Sequence, residues 1–377
     1  MALISSENNS TDSHHLALFV SFSGTGGVER VTLNLLQGLS QVKYLRVDLL
    51  LVVSHRGVRP VIPWPNIRVI DLGVHHSQMA IPALIRYLRN ERPDVLMVAK
   101  DRAIRAAIVA HALAGVKTRL VGQLHMNMQG FLKRRSWLSR WLRIAPMRIL
   151  FPKLTKIICV SNGVVQDTLE ITGMSPEKVL ALKNPVITPE IAEMAAEDID
   201  HPWLKGDYKV ILAVGRLSPE KDFETLLRAF ARIKSIENLR LILLGEGPLR
   251  DDLEKLQNVL EIGDRVAFLG YQKNPYAWMR RASVLALSSR WEGAPTVLIE
   301  AMSLGLSCVS TDCDFGPNEI LQGGRVGRLV PVGDDSAFAE ALRQSLLNPL
   351  ASEELIKAVE GYGIGISARA YVQCLFD

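Results

Sequence analysis

Short apolar segments of strand length alternate with helix-length amphipathic ones along the chain, and the rhythm runs twice. In the first half the apolar segments are 16–20, 47–53, 67–70, 95–98, 120–123 and 157–160; in the second they are 210–214, 239–244, 266–269, 284–287 and 307–310. Short apolar runs bounded by turn residues suit strands covered on both faces, as in a parallel sheet sandwiched by helices. Two such βαβ series predict an α/β protein of two Rossmann-like domains. Between them Pro185, Pro189 and Pro202 and an acidic patch at 190–200 break the pattern. The reading is therefore a flexible N-terminus (1–15), a first domain (16–184), a linker (185–208), a second domain (209–353) and a C-terminal helical segment (354–377) that crosses back to the first domain. Ligands of open α/β sheets sit beyond the carboxyl ends of the strands, so two such domains facing each other enclose a central cleft.

Hydrophobic content of 48%, 22% charged residues and 27 glycines describe a well-cored globular protein and exclude disordered or fibrous classes. The four cysteines, Cys159, Cys308, Cys313 and Cys374, have neither CxxC nor Cys/His spacing. They read as reduced structural thiols. The first apolar run is only strand-sized and no basic segment precedes it, which makes the cytoplasm the expected location. The net charge of +5 is unevenly spread: residues 102–166 hold twelve Lys or Arg and no acid, leaving 32 basic residues against 39 acidic ones elsewhere, a net of −7.

Several loops that follow strands carry residues suited to a phosphate and a sugar. Glu292 and Glu300 stand eight apart around a loop-to-helix transition containing Gly293, Ala294, Pro295 and Thr296. The free amides of a helix start and its dipole suit an anion, and Glu300, one turn in, can accept hydrogen bonds from a ribose diol. Taken alone the pair is weak, since helix glutamates are usually solvated. After the first strand, Gly26 and Gly27 belong to a glycine loop that matches neither the dinucleotide fingerprint nor the P-loop; packing and ligand contact are equally open to it. Arg216 and Lys221 flank one turn after the first strand of the second domain, where paired donors and a point charge fit a pyrophosphate. Gly245, Gly247, Gly270 and Tyr271 mark turns whose backbone could read a base or simply close the fold. His125 follows a strand and points to the cleft side. Asp312 and Asp314 imitate a metal motif, but no cluster has metal-ligand spacing.

In its full context the 291–305 segment closely resembles the Glu-x7-Glu motif of the family-4 retaining glycosyltransferases, of the bacterial surface-polysaccharide type, which have the GT-B fold. The glycine loop, the Arg216/Lys221 loop and the Gly-Pro-x-Glu loop at 316–319 are similar to that family's in the same order. The resemblance implies transfer of a hexose or N-acetylhexosamine from a nucleotide diphosphate sugar, taken as a UDP-sugar, to a hydroxyl of a lipid-linked glycan. It gives Glu292 and His125 catalytic contacts with the transferred sugar. It places Gly26, Gly27, Arg216, Lys221, Gly293, Ala294, Thr296 and Glu300 on the donor, and the nucleobase between the Gly245–Gly247 and Gly270–Tyr271 turns. No cofactor or metal is implied, and the leaving phosphate itself assists deprotonation of the incoming hydroxyl. A non-catalytic nucleotide-sugar-binding partner protein and a sugar-nucleotide epimerase are the alternatives.

Within 131–145 a helical wheel puts Phe131, Trp137, Leu138, Trp141, Leu142 and Ala145 on one face, with Lys133, Arg140 and Arg143 opposite and Arg134 interrupting the stripe. Tryptophans at headgroup depth and cations near anionic lipid make an interfacial helix; a stripe facing the core is the plainer alternative. No nucleic-acid module accompanies the basic segment. Peripheral contact with the inner face of the cytoplasmic membrane is the expectation.

Overall fold

The protein is described by a computed structural model at residues 14–22, 27–54, 59–125, 128 and 136–377. The first sheet has seven strands, β1 (His14–Phe22), β2 (Leu45–Val53), β3 (Ile67–Asp71), β4 (Val95–Ala99), β5 (Arg119–Leu124), β6 (Lys156–Cys159) and β7 (Val179–Ala181), in the order β3-β2-β1-β4-β5-β6-β7. The second has six, β8 (Lys209–Val214), β9 (Leu239–Leu244), β10 (Val266–Phe268), β11 (Val284–Leu287), β12 (Cys308–Thr311) and β13 (Arg328–Val330), in the order β10-β9-β8-β11-β12-β13. Every pairing is parallel. Each apolar run of the sequence contributes a strand, and the central ones are covered on both faces; in β4 all five residues are buried, whereas the edge strands β3 and β10 are partly open. β7 and β13 escape a hydropathy reading: each is three residues long, at a sheet edge and only partly buried.

Strand order reverses between β1 and β4 in the first sheet and between β8 and β11 in the second. At such a switch point the loops after neighbouring strands diverge and open a crevice. The loops after β1, β8 and β11 lead to Gly27, to Arg216 and Lys221, and to Glu292, and the two crevices share one cleft.

The 185–208 segment is more than a connector. Its helix Pro189–Ala196 buries Ile191 and Ala195 in the core of the second domain. Near the end of the chain, the helix Ser352–Val359 stays on the second domain through Leu355 and Val359, and the helix Ile364–Phe376 returns to the first. There Ala368, Tyr371, Val372 and Leu375 join Leu16, Leu18, Leu35 and Leu36 in one core. Gly38, in the helix Gly27–Leu39, permits this approach: a Cβ there would lie 2.7 Å from the Ile364 carbonyl oxygen. The buried Tyr371 hydroxyl accepts from Gln123 at 2.8 Å, and Lys156 donates to the Cys374 carbonyl at 2.8 Å. Burying side chains of this size contributes about 1.5–3 kcal/mol each, an upper estimate because the unfolded chain is itself partly collapsed. The two crossings run side by side, with Ile187 bridged to Gly363 and the Val186 and Ile187 amides both donating to the Tyr362 carbonyl.

A second contact joins the domains beside the cleft. Ser161 caps the helix Asn162–Thr172 and donates to the Gly293 carbonyl at 3.1 Å, while the Asn162 amide donates to Glu319 at 2.9 Å. Phe315, held at φ +65°, lies over Gly163, where a Cβ would sit 1.8 Å from its ring. The Gly-Pro-x-Glu loop thus acts as a clasp between domains. Gly316, at φ +89°, abuts Gly293 and Pro295 and buttresses the Glu292 loop.

Candidate functional site

A cavity of about 680 Å³ lies between the two domains. Gly27, Val28, Arg30, Val31, His125 and Asn184 line it from the first domain, facing Arg216, Lys221, Gly245, Tyr271 and the 292–297 loop with Glu300 from the second. Eleven sequence-selected residues therefore line it: Gly27, His125, Arg216, Lys221, Gly245, Tyr271, Glu292, Gly293, Ala294, Thr296 and Glu300. Gly26, Lys133 and Arg134 lie outside the described residues.

Two of the turn glycines are held by close packing. Gly247 does not line the cavity; a Cβ there would meet the Leu217 carbonyl oxygen at 2.2 Å, so it is needed for packing against the Arg216 loop. Gly270 is also absent from the lining and is crowded by Glu246. Gly245, at φ +147°, combines both functions, facing the cavity while its backbone abuts Gly215.

Lys221 is not a free phosphate cation, as the sequence suggested. Its ammonium donates to Glu292 Oε1 at 2.5 Å, and Ser289 donates to the same oxygen at 2.6 Å. Lys221 thereby ties the β8 loop to the β11 loop and fixes the Glu292 carboxylate. Arg216 is exposed, with no ion-pair partner among the described residues, and is the cation left available to an incoming anion. Helix Thr296–Ser303 presents its first turn to the same space. Free amides there add positive potential without a side chain.

Glu300 is 3% exposed and is met from across the cleft by Arg30, whose Nη1 donates to Oε1 at 2.8 Å and to the Tyr276 hydroxyl at 3.2 Å. Burial disfavours charge on Arg30, but Glu300 and Tyr276 outweigh it and raise its pKa. Burial and then Glu300 push Tyr276 up to about 12. Arg30 follows the glycine loop and carries no signal of its own in the sequence; it reaches Glu300 because the helix Gly27–Leu39 points its first turn at the other domain. Ser289 was likewise invisible.

His125 Nε2 is sealed from solvent and has no hydrogen-bond partner among the described residues. Burial, then the nearby Lys100 ammonium, lowers its pKa to about 4, against the opposing pull of Glu29. The ring is neutral at physiological pH, able to hydrogen-bond a hydroxyl but unsuited to neutralising a phosphate. Lys100 is held at φ +75° and donates to Glu29 at 2.8 Å and to the Ser21 carbonyl at 2.7 Å.

Among the described residues no group of three His, Cys, Asp or Glu is placed to hold a metal ion. The cysteines are all unpaired; burial, then the Glu292 charge, lifts Cys313 to about 12. Away from the cleft, the helix Trp137–Leu150 begins at a Ser136 cap and exposes Trp137, Leu138, Trp141, Leu142 and Ile149. Only Met147 is fully buried, so the aromatic stripe does not face the core. No helix among the described residues is long and apolar enough to cross a membrane.

Residues 25–189 match the family profile described as Glycosyltransferase Family 4, and residues 195–361 match that of Glycosyl transferases group 1. Over 343 residues the chain is 31% identical to a Campylobacter jejuni protein, N-acetylgalactosamine-N,N'-diacetylbacillosaminyl-diphospho-undecaprenol 4-alpha-N-acetylgalactosaminyltransferase, covering 88% of this chain and 90% of that one. It is 24% identical over 307 residues to the Escherichia coli UDP-Gal:alpha-D-GlcNAc-diphosphoundecaprenol alpha-1,3-galactosyltransferase, covering 78% of each. The solved apo structure of the lipopolysaccharide outer core galactosyltransferase WaaB superimposes with a TM-score of 0.73 at 19% identity, covering 96% of this chain and 99% of that one. The architecture is GT-B.

Proposed function

The chain belongs to the glycosyltransferases of family 4 and group 1, and from that membership we propose that it is a retaining, metal-independent enzyme moving a hexose or N-acetylhexosamine from a UDP-sugar to a lipid-linked acceptor. The observation that carries the reading is the convergence of Arg216, the 293–296 amides, Lys221-bound Glu292 and Glu300 on one cleft. These groups match, in order, a diphosphate, a sugar and a ribose. The E. coli relative's name specifies UDP-Gal, and both relatives' names specify α products on diphospho-undecaprenol-linked sugars.

In the reaction the bond from the sugar's anomeric carbon to the β-phosphate oxygen breaks, and a bond to the acceptor oxygen forms on the same face. The acceptor's proton passes to the departing phosphate, so no protein base is needed. What the protein supplies is stabilisation of charge growing on the leaving diphosphate, by Arg216 and the helix-start amides, preorganised in the cleft. Lys221 also holds the Glu292 carboxylate oriented toward sugar hydroxyls. Neutral His125 lies on the opposite wall.

The acceptor's lipid gives the exposed helix Trp137–Leu150 a purpose. Trp137 and Trp141 are 77% and 60% exposed, a cost in water that an anionic bilayer relieves. This reading puts the enzyme on the inner face of the cytoplasmic membrane.

The test is transfer from UDP-glucose, UDP-galactose and their N-acetyl derivatives to a short polyprenyl-diphosphate-linked sugar in the presence of EDTA, with NMR of the product anomer. An α product from one donor supports the proposal. A β product, strict metal dependence or epimerised donor without transfer overturns it.

A further inference from the structure

A second cavity, of about 770 Å³, opens at the other edge of the first sheet. Its walls are the ends of the helices Ile81–Glu91 and Asp101–Ala114 and the residues that lead into β4 and β5. The cleft lies beyond the carboxyl ends of the same strands. With five residues in β4 and six in β5, at about 3.3 Å each, the sheet separates the two cavities by roughly 17–20 Å.

Arg89, Arg92, Lys117 and Arg119 surround this second cavity, and Asp94 is the one carboxylate in its lining. Among the described residues none of the four cations has an ion-pair partner. The groups they do meet are neutral: Arg89 donates to the Leu113 and Ala114 carbonyls at 2.8 and 3.3 Å, Arg92 to the Arg89 carbonyl at 3.3 Å, and Arg119 to the Phe376 carbonyl at 3.3 Å. Asp94 is itself engaged, accepting from the His15 amide at 2.8 Å. A guanidinium carries five N–H donors, so most of those in the lining stay free. Four cations facing one carboxylate repel one another, and an anion in the cavity relieves the repulsion and takes up the free donors.

The rim indicates which anion. Val109 and Leu113, one turn apart on the helix Asp101–Ala114, are both exposed, and Leu113 adjoins the Ala114 and Gly115 of the lining. That helix packs beside the helix Trp137–Leu150 with its exposed Trp137, Trp141 and Ile149. A soluble phosphate has no use for an apolar rim, whereas a phospholipid carries its acyl chains next to its phosphate. We propose that this cavity binds the phosphate of an anionic membrane phospholipid, whose acyl chains lie along Val109 and Leu113. The proposal rests on the membrane reading above and adds a discrete site to it. Tryptophans insert at any point of a bilayer surface; a headgroup held by Arg89, Arg92, Lys117 and Arg119 fixes how the first domain is oriented on it. The length of the sheet keeps this phosphate away from the reacting sugar, so the lipid is one of the bulk membrane and not the acceptor.

The experiment compares the wild type with Arg92→Gln/Lys117→Gln and with Lys209→Gln/Lys357→Gln, which removes the same charge from exposed sites outside the cavity. All four side chains are exposed and none lines the cleft, so both double variants melt as the wild type does. Calorimetric titration uses dihexanoyl phosphatidylglycerol below its micellar concentration, and glycerol 1-phosphate as the headgroup without chains. The wild type and the Lys209/Lys357 variant bind the short-chain lipid at one saturable site, and the Arg92/Lys117 variant binds it about thirtyfold more weakly. Arg92→Lys/Lys117→Arg, which keeps both charges, retains the affinity. Glycerol 1-phosphate binding as tightly as the lipid identifies a soluble-anion site and overturns the proposal. Equal losses in the two glutamine variants, or no saturable lipid binding while the wild type still sediments with phosphatidylglycerol vesicles, overturn the discrete site and leave the membrane reading standing. A wild type that does not sediment with those vesicles refutes the membrane reading itself, so the two failures are distinct.

Discussion

Replacing Glu300 by Gln tests the donor site at its most buried charge. The carboxylate is 3% exposed and accepts one bond from Arg30 at 2.8 Å. An ionised carboxylate has about four acceptor positions, so capacity for a ribose diol remains. Hydrogen bonds to a charged partner contribute roughly 1.5–3 kcal/mol and neutral ones roughly 0.5–1.5. The amide of E300Q keeps one acceptor and the shape, so the expected loss is about 1–2 kcal/mol, or about 5- to 30-fold in donor Kd. Stability should change little, because the Arg30 side chain is 41% exposed and water can take over its charge. Calorimetry at fixed ionic strength with UDP and 2′-deoxy-UDP completes a double cycle. If Glu300 binds the ribose, the deoxy analogue is weakened in the wild type and little further in E300Q. Equal UDP affinity for the two proteins, or an unchanged deoxy penalty in E300Q, would refute the assignment.

His125 makes stability depend on pH in a predictable direction. Its pKa is lowered in the fold from 6.5 to about 4, so below pH 6.5 the unfolded chain takes up a proton that the folded one refuses, and stability is lost as pH falls toward 4. The loss attributable to this ring is roughly 2 kcal/mol at pH 5; denaturant unfolding at pH 7 and pH 5 should show it in the wild type and not in H125Q, and parallel pH slopes would dismiss it. Serine at both Trp137 and Trp141 should lower partitioning onto vesicles containing phosphatidylglycerol by about tenfold or more, with turnover on a water-soluble acceptor retained; unchanged sedimentation would remove the interfacial role. Gly163→Val drives a side chain into Phe315 and should destabilise the protein by about 1–3 kcal/mol while weakening donor binding through the Gly316–Gly293 contact; a variant with wild-type melting and donor affinity would show that the clasp does not matter.

Much of this protein is written locally. Apolar runs such as 95–98 and 284–287 specify strands because a segment buried on both faces leaves no polar position in its pattern. The loop residues Arg216, Lys221, Glu292 and Glu300 are legible because the carboxyl ends of parallel strands are where such folds bind ligands. The edge strands β7 and β13 were not legible, since three half-buried residues give no periodicity. Gly247 and Gly270 were readable as turn glycines with base reading and fold closure both open: only the packed loops reveal which atoms fill the space a Cβ would need. Whether the aromatic stripe of Trp137 and Trp141 faces core or solvent is decided by what packs beside the helix, not by the stripe. The sequence alone determined the elements, the two-domain rhythm and most of the chemistry. Tertiary structure alone decided the pairings across distance: Arg30 with Glu300, and Lys221 with Glu292. The physical reason is that a hydrogen bond depends on positions within about 3 Å, and residues 71 or 270 positions apart reach that separation only through the packing of strands within a domain or of one domain on the other.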